Sequence, residues 1–164
     1  MILYLVRHGI AVDRTDPKSP PEAERPLTAK GVQKTRSAAL GLRALGAKPD
    51  VLITSPFVRA AQTAEIFAEA LGFAPEKIRV SETLKPAENP ADIVKEISRV
   101  KAKEIACFGH APHLDLLVAH LAGARAPFTE LKKAGVACFE QGKAQGRWHL
   151  LWILTPKTLR ELAD

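Results

Sequence analysis

The stretch ILYLVRHG at residues 2–9 decides the fold, because it joins an unbroken apolar run to two basic side chains. Continuous apolarity, rather than alternation, is typical of a strand covered on both faces. Residues 2–6 therefore predict a buried strand of a parallel sheet. Arg7, His8 and Gly9 follow at its carboxyl end, where such sheets bind their ligands.

The rest of the chain alternates strand and helix signals. The predicted strands are Val51–Thr54, 78–84, 105–108, 135–139 and Trp148–Leu154, the last two joined as a hairpin through residues 140–147. The predicted helices begin at Thr28, Ser55-Pro56, Asn89-Pro90, Pro112 and Thr155-Pro156. This order predicts an α/β fold: a three-layer α/β/α sandwich with a mostly parallel central sheet and an antiparallel C-terminal strand.

Length and composition indicate an ordinary globular chain. The 164 residues are 46% hydrophobic and 26% charged, so we expect a single domain over residues 1–164. These values exclude a disordered tail, a collagen and a disulfide miniprotein. No apolar run approaches 18 residues, so no membrane span is expected.

The net charge of +6 and the pI near 9.5 favour polyanionic or phosphorylated partners. The basic residues are scattered, and only 5% of residues are aromatic, so a nucleic-acid partner is not expected. Cys107 and Cys138 each lie in an apolar stretch without metal-binding spacing. We interpret both as reduced core residues of a cytoplasmic protein.

Three of the buried runs lead into basic side chains. Arg7 and His8 follow the first run, Arg59 lies one helical turn after the second, and His110 follows the third. If the three strands are parallel neighbours, these groups converge at one edge, where they suit a bound dianion. Histidine can act as a nucleophile, so the set predicts phosphoryl transfer through a phosphohistidine. No carboxylate cluster has metal-binding spacing, which favours a route without metal or cofactor.

Other residues near these positions have several possible roles. Ser55, at the predicted helix start, could contact phosphate, together with backbone N–H groups there. Phe57 could line the pocket or belong to the core. His110 and His113 form a His-x-x-His pair, but a zinc site needs a further ligand, so we expect no metal.

These motifs together resemble those of the histidine phosphatase superfamily, also called phosphoglycerate mutase-like. Arg7-His8-Gly9 resembles the first motif, SPFVRA at residues 55–60 with Gln62-Thr63 the second, and Gly109-His110 the third. The stretch RPLT at residues 25–28, with Gly31, resembles the small bacterial phosphohistidine phosphatases of the SixA type. The resemblance covers nearly the whole chain and implies the phosphoglycerate mutase-like fold.

The resemblance also implies roles for individual residues. His8 would attack phosphorus and become transiently phosphorylated. Arg7 and Arg59 would hold the phosphoryl oxygens, and His110 would donate to the phosphoryl group. Glu82, near the place where the family usually has its general acid, is the candidate for that role.

The identity of the acid stays open at this point. Asp13 and Asp16, in the loop after the first strand, are alternatives to Glu82, and a phosphohistidine substrate needs little acid help. The chain also lacks room for the lid that larger family members insert, which suits a substrate carried on a protein surface.

We therefore expect a phosphatase acting on a phosphorylated protein of the histidine-phosphotransfer type. The alternatives are a phosphatase for small phosphoesters and a non-catalytic module that binds phosphoprotein. The oligomeric state does not follow from the sequence.

Overall fold

A computed structural model describes residues 1–142 and 146–163 of the chain. Its strands are β1 Ile2–Arg7, β2 Val51–Thr54, β3 Arg79–Val80, β4 Glu104–Gly109, β5 Val136–Gln141 and β6 Trp148–Leu154. Its helices are α1 Ala29–Ala44, α2 Val58–Leu71, α3 Pro90–Ser98, α4 His113–Ala122 and α5 Pro156–Ala163.

The strands form one six-stranded sheet in the order β3-β2-β4-β1-β5-β6. The first four of these pair in parallel, whereas β5 and β6 are antiparallel. The mostly parallel sheet with an antiparallel C-terminal end is confirmed. The predicted hairpin strands also pair, while residues 143–145 of the predicted connection lie outside the described residues.

The sheet is covered on both faces, which gives the three layers expected from the sequence. One apolar cluster joins alternate β1 residues, such as Leu3 and Leu5, to α3 and α4. The other joins Tyr4 and Val6 to α1, α2 and α5. Because successive side chains of a strand point to opposite faces, an unbroken apolar strand is what such a double layer requires.

Two details of the secondary structure differ from the prediction. The helix after β2 begins at Val58 rather than at Ser55-Pro56, because Phe57 is extended and the Ser55 hydroxyl accepts from its N–H, 3.3 Å away. Of the extended segment predicted for residues 78–84, only Arg79–Val80 form a strand, β3. Ser81 Oγ accepts from Thr83 N–H and starts a 3-10 turn over Glu82–Leu84.

The helix starts predicted at Thr28 and at Asn89-Pro90 are confirmed by local contacts. Thr28 Oγ1 accepts from Gly31 N–H at the start of α1, and Asn89 Oδ1 accepts from Ala91 N–H at the start of α3. Gly31 also allows a close approach, since a Cβ there would lie 2.0 Å from the Ile10 carbonyl oxygen. The chain leaving β1 can therefore cross directly over the start of α1.

No helix in the described ranges, 1–142 and 146–163, is long and apolar enough to cross a membrane. Cys107 and Cys138 are free thiols and both are buried. Burial raises the pKa of each thiol.

Candidate active site

The sheet register brings the ends of β1, β4 and β2 together. Arg7, the last residue of β1, is level with Gly109, the last residue of β4. The His8 N–H donates to the Gly109 carbonyl at 3.0 Å, and the Ser55 N–H donates to the Phe108 carbonyl at 3.0 Å. His8, Ser55 and His110 therefore leave the sheet side by side at its carboxyl edge.

The His8 imidazole has a defined hydrogen-bonding pattern. Nδ1 lies 2.7 Å from the Gly9 carbonyl oxygen, which can only accept, so Nδ1 carries the proton. Arg59 Nε donates to His8 Nε2 at 3.2 Å. Burial lowers the pKa of His8 to about 3, with the charges of Arg59 and Arg7 acting in the same direction. His8 is thus neutral near pH 7, with the Nε2 lone pair facing a guanidinium.

Arg59 lies in the first turn of α2 and is 3% exposed. Besides His8, its guanidinium contacts Glu22: Nη1 donates to the Glu22 carbonyl at 2.7 Å and Nη2 to its carboxylate at 2.8 Å. The guanidinium carbon also lies 5.1 Å from the centre of the Phe57 ring. These contacts fix a buried cation against the His8 imidazole.

Glu22 is a site residue that the sequence analysis missed. It begins a 3-10 turn in the proline-rich loop, residues 13–26, and its carboxylate also accepts from Arg25 Nε and Nη2, both at 2.8 Å. The Arg25 hydrogen bonds and the Arg59 charge hold the pKa of Glu22 below its usual range. The available sequence signal was the Glu22–Arg25 spacing, which is that of an ion pair on one turn.

His110 lies beside His8, with the two ring centres 5.1 Å apart. Its ring also packs edge-to-face with that of Phe57, and its Nε2 lies 2.8 Å from Ser55 Oγ. Burial lowers the pKa of His110 to about 2, and the charges of neighbouring His8 and Arg59 also lower it. Nδ1 of His110 is buried and has no hydrogen-bond partner within the described part of the chain.

Arg7 ends β1 directly before His8 and is level with Gly109, which directly precedes His110. Its charge also lowers the pKa of both His8 and His110. Its Nη1 donates to the Leu131 carbonyl at 2.6 Å. Asp115 fixes that segment by accepting from the Leu131 N–H at 2.8 Å. Arg7 Nε is buried and unpartnered among the residues described.

The predicted second motif also ties β1 to α2. Thr63 Oγ1 accepts from the Gly9 N–H at 3.0 Å and donates to the Arg59 carbonyl at 2.7 Å. Gln62 accepts from the Leu27 N–H at 2.7 Å, which secures the end of the proline-rich loop. The backbone N–H that directly follows His8 is therefore held by a side chain of α2.

Arg7, His8, Arg59 and His110 thus come together as expected, and Ser55 lies next to them, fully buried. The candidate acids do not join them. The Glu82 side chain is 70% exposed and pairs with Lys85. Asp13 and Asp16 are exposed and accept hydrogen bonds within their own loop, from Thr15 and Lys18.

His113, the partner of His110 in the His-x-x-His pair, is the first residue of α4 and is fully buried. Burial lowers its pKa, and neither ring nitrogen has a partner among the described residues. Within residues 1–142 and 146–163, no three His, Cys, Asp or Glu side chains are grouped so as to hold a metal ion.

The sheet order, the two helical layers and the cationic cluster at the carboxyl edge define a phosphoglycerate mutase-like α/β fold. The family model described as "Histidine phosphatase superfamily (branch 1)" matches residues 3–88. This chain belongs to the histidine phosphatase superfamily, and that membership supports a phosphatase activity.

Several individual proteins are similar to this chain over most of its length. An uncharacterised protein of Picosynechococcus sp. is 37% identical over 168 residues, covering 97% of this chain and 99% of its own. The phosphohistidine phosphatase SixA of Escherichia coli (strain K12) is 27% identical, covering 92% of this chain and 93% of its own. A solved structure of the protein histidine phosphatase SixA with tungstate superposes with a TM-score of 0.86 at 24% identity, covering 97% of this chain and 99% of that one.

Proposed function

We propose that this protein hydrolyses phosphohistidine on a partner protein, with His8 carrying the phosphoryl group between two steps. The main support is the Nε2 lone pair of His8, on a ring that donates through Nδ1 and stays neutral near pH 7. In the first step Nε2 bonds to phosphorus while the P–N bond of the substrate breaks. In the second step water attacks phosphorus, the bond to His8 breaks, and inorganic phosphate leaves.

The neighbouring cations supply the charge stabilisation that this transfer needs. Arg7 and Arg59 would bind the phosphoryl oxygens, and His110 would donate to one of them. Arg7 Nε and His110 Nδ1 are buried nitrogens without a protein partner in the described residues, so both are available to a phosphoryl oxygen. Since these groups are already held in place, little reorganisation accompanies the reaction.

The carboxylates of the site favour phosphohistidine over a phosphoester. An ester releases an alkoxide, which needs a proton from a nearby acid, whereas protonated phosphoimidazole leaves as neutral imidazole. Glu22 reaches the cluster, but its lowered pKa keeps it ionised and unable to donate a proton near pH 7. Glu82 is exposed and paired with Lys85.

A protein-borne substrate agrees with two further features. The connection between β3 and α3 is short, residues 81–89, and contains a single 3-10 turn, so it adds no lid-sized element near the site. The relative in Escherichia coli that matches over most of both chains is named a phosphohistidine phosphatase.

The test is a comparison of substrates with the purified protein. We expect kcat/KM for a histidine-phosphotransfer protein phosphorylated on histidine to exceed that for a panel of sugar phosphates, nucleotides and phosphoserine. Phosphate release and loss of the 32P label from the protein are the two measurements. Faster turnover of any of the esters would overturn the choice of substrate.

His8→Ala is the control for the mechanism and should reduce turnover of every substrate below detection. His149→Ala, which replaces an exposed histidine on β6, should behave as the parent protein. After acid-free quenching, 32P should be found on the parent protein and not on the His8→Ala variant. Turnover by that variant near the parent rate would remove His8 from the reaction.

A further inference from the structure

The Ser55 hydroxyl has two neighbours that together determine where its proton points. The Phe57 N–H lies 3.3 Å from Ser55 Oγ, and a backbone N–H can only donate. His110 Nε2 lies 2.8 Å from the same oxygen. Ser55 is fully buried, so its hydroxyl proton has no solvent acceptor.

The hydrogen bond between Ser55 Oγ and His110 Nε2 can run in either direction. The two directions differ in how many buried polar groups lack a hydrogen-bond partner. If His110 Nε2 carried the proton and donated to Ser55, the hydroxyl proton and His110 Nδ1 would both be buried with no partner among the residues that the structure describes. If Ser55 donates to Nε2, every group except Nδ1 is satisfied. Buried unpaired polar groups are costly, so the second arrangement is favoured.

We propose that Ser55 is a positioning residue that holds His110 as the Nδ1–H tautomer, with Nδ1–H kept for a phosphoryl oxygen. Ser55 then acts through His110 and does not itself bind phosphate, in contrast to the role predicted from the sequence. This inference rests on the proposed function for its purpose, while the tautomer itself is independent of the substrate.

The two histidines thus reach the same tautomer by different contacts and use opposite nitrogens. On His8 the Gly9 carbonyl keeps the proton on Nδ1, which leaves Nε2 as the nucleophile. On His110 the Ser55 hydroxyl occupies Nε2, which leaves Nδ1–H as the donor. The Ser55 oxygen accepts from the Phe57 N–H, so the hydroxyl proton of Ser55 remains available to donate to His110 Nε2.

The first test is the nitrogen NMR spectrum of uniformly 15N-labelled protein, with His110 assigned by comparison with His110→Gln. We expect a pyrrole-type Nδ1 and a pyridine-type Nε2 for His110 in the parent protein. A pyridine-type Nδ1 with a protonated Nε2 would overturn the proposal. This measurement needs no substitution at Ser55 and no turnover.

The second test uses Ser55→Ala, for which we expect kcat to fall about 10-fold to 100-fold, the loss that is typical when the hydrogen-bond partner that orients a metal-binding imidazole is removed. The His110 signals should shift toward the other tautomer or an average of both. Ser55→Thr retains a hydroxyl and should retain the tautomer and most of kcat. Thr54→Val is the matched control, because it removes a neighbouring buried hydroxyl that donates to the Ser55 carbonyl and not to His110.

Two outcomes would separate this inference from the proposed function. If Ser55→Ala kept both the Nδ1–H tautomer and the parent kcat, the inference would be wrong even with phosphohistidine turned over. If the parent protein failed to act on phosphohistidine, the His110 tautomer in the parent protein and in Ser55→Ala would still decide the inference.

Discussion

The proline-rich loop, residues 13–26, and the loop at residues 81–89 both pass by the cationic cluster, but they direct their carboxylates differently. The first turns Glu22 inward onto Arg59. The second passes beside the end of β4, where the Leu84 carbonyl oxygen lies 3.5 Å from a Cβ built on Gly109, yet Glu82 faces solvent. Among residues 1–142 and 146–163, the site therefore has a carboxylate that holds a cation, whereas the candidate acid Glu82 is not placed to deliver a proton to it.

The anchoring of each loop explains this difference. In the second loop, Ser81 and Thr83 both donate to the Glu96 carboxylate of α3, at 2.5 and 2.8 Å, which leaves Glu82 on the outer side. In the proline-rich loop, Arg25 bonds both to Glu22 and to the Val12 carbonyl, at 2.6 Å for the latter, so the carboxylate is held toward α2.

Arg59→Ala removes the guanidinium that the Glu22 carboxylate holds. Among the substitutions around these two loops, we expect this one to reduce activity most. Losing a buried cation next to His8, the proposed nucleophile, should lower kcat about 100-fold to 1,000-fold or more. Steady-state kinetics on phosphohistidine protein measures this, with Arg36→Ala, an exposed arginine paired with Glu69, as the control. A loss of less than tenfold would show that Arg59 does not stabilise the transferred group.

Glu22→Gln tests whether the proline-rich loop positions Arg59. The amide keeps the shape but loses the charge-assisted bonds, so we expect kcat/KM to fall about tenfold. Glu24→Gln changes an exposed carboxylate of the same 3-10 turn and should have no such effect. Equal kcat/KM values for the two variants would show that Glu22 does not position Arg59.

The histidines between the loops make stability depend on pH. Unfolded histidines take up protons below about pH 6.5, whereas the folded pKa values of His8 and His110 are lowered to about 3 and about 2. The unfolding free energy should therefore decrease as pH falls from about 6.5 toward 3, by up to about 1.4 kcal/mol per pH unit for each histidine.

Thermal melts between pH 7.5 and 4.5 measure this decrease. The His8→Ala protein should lose stability less steeply with falling pH than His149→Ala. Parallel slopes for the two variants would contradict a depressed pKa for His8.

Glu82→Gln should have the smallest effect, less than about threefold on phosphohistidine, because the leaving imidazole needs little proton donation. Glu88→Gln, an exposed neighbour in the same loop, is the matched control. If Glu82→Gln lowered the turnover of phosphohistidine more than Glu88→Gln did, Glu82 would be the general acid. The two loops would then no longer differ in the way described above.

Much of the fold and of the cluster could be predicted, because the signals are local. Unbroken apolar runs marked β1, β2 and β4, and their shared carboxyl edge placed Arg7, His8 and His110 together. Arg59 followed from its place one turn after β2, even though its helix begins at Val58 and not at Ser55-Pro56.

The contacts made by loops could not be predicted in this way. Glu22 lies 37 residues from Arg59 along the chain, and only the path of the proline-rich loop joins them. The sequence also placed Glu82 close to the carboxyl edge of the sheet. It gave no indication that the Ser81 and Thr83 hydroxyls would donate to Glu96, which leaves Glu82 facing solvent. Local patterns fix strand ends, whereas the direction of a loop side chain depends on its tertiary anchors.

The order of the strands also determines which local unfolding events disturb the site. His8 and His110 extend from β1 and β4, which lie in the interior of the sheet, while β3 and β6 form its edges. Amide protons of interior strands exchange through rarer, larger openings than those of edge strands. Transient fraying of β3 or β6, including the exposed Leu151 and Ile153, can therefore proceed while Arg7, His8 and His110 keep their arrangement.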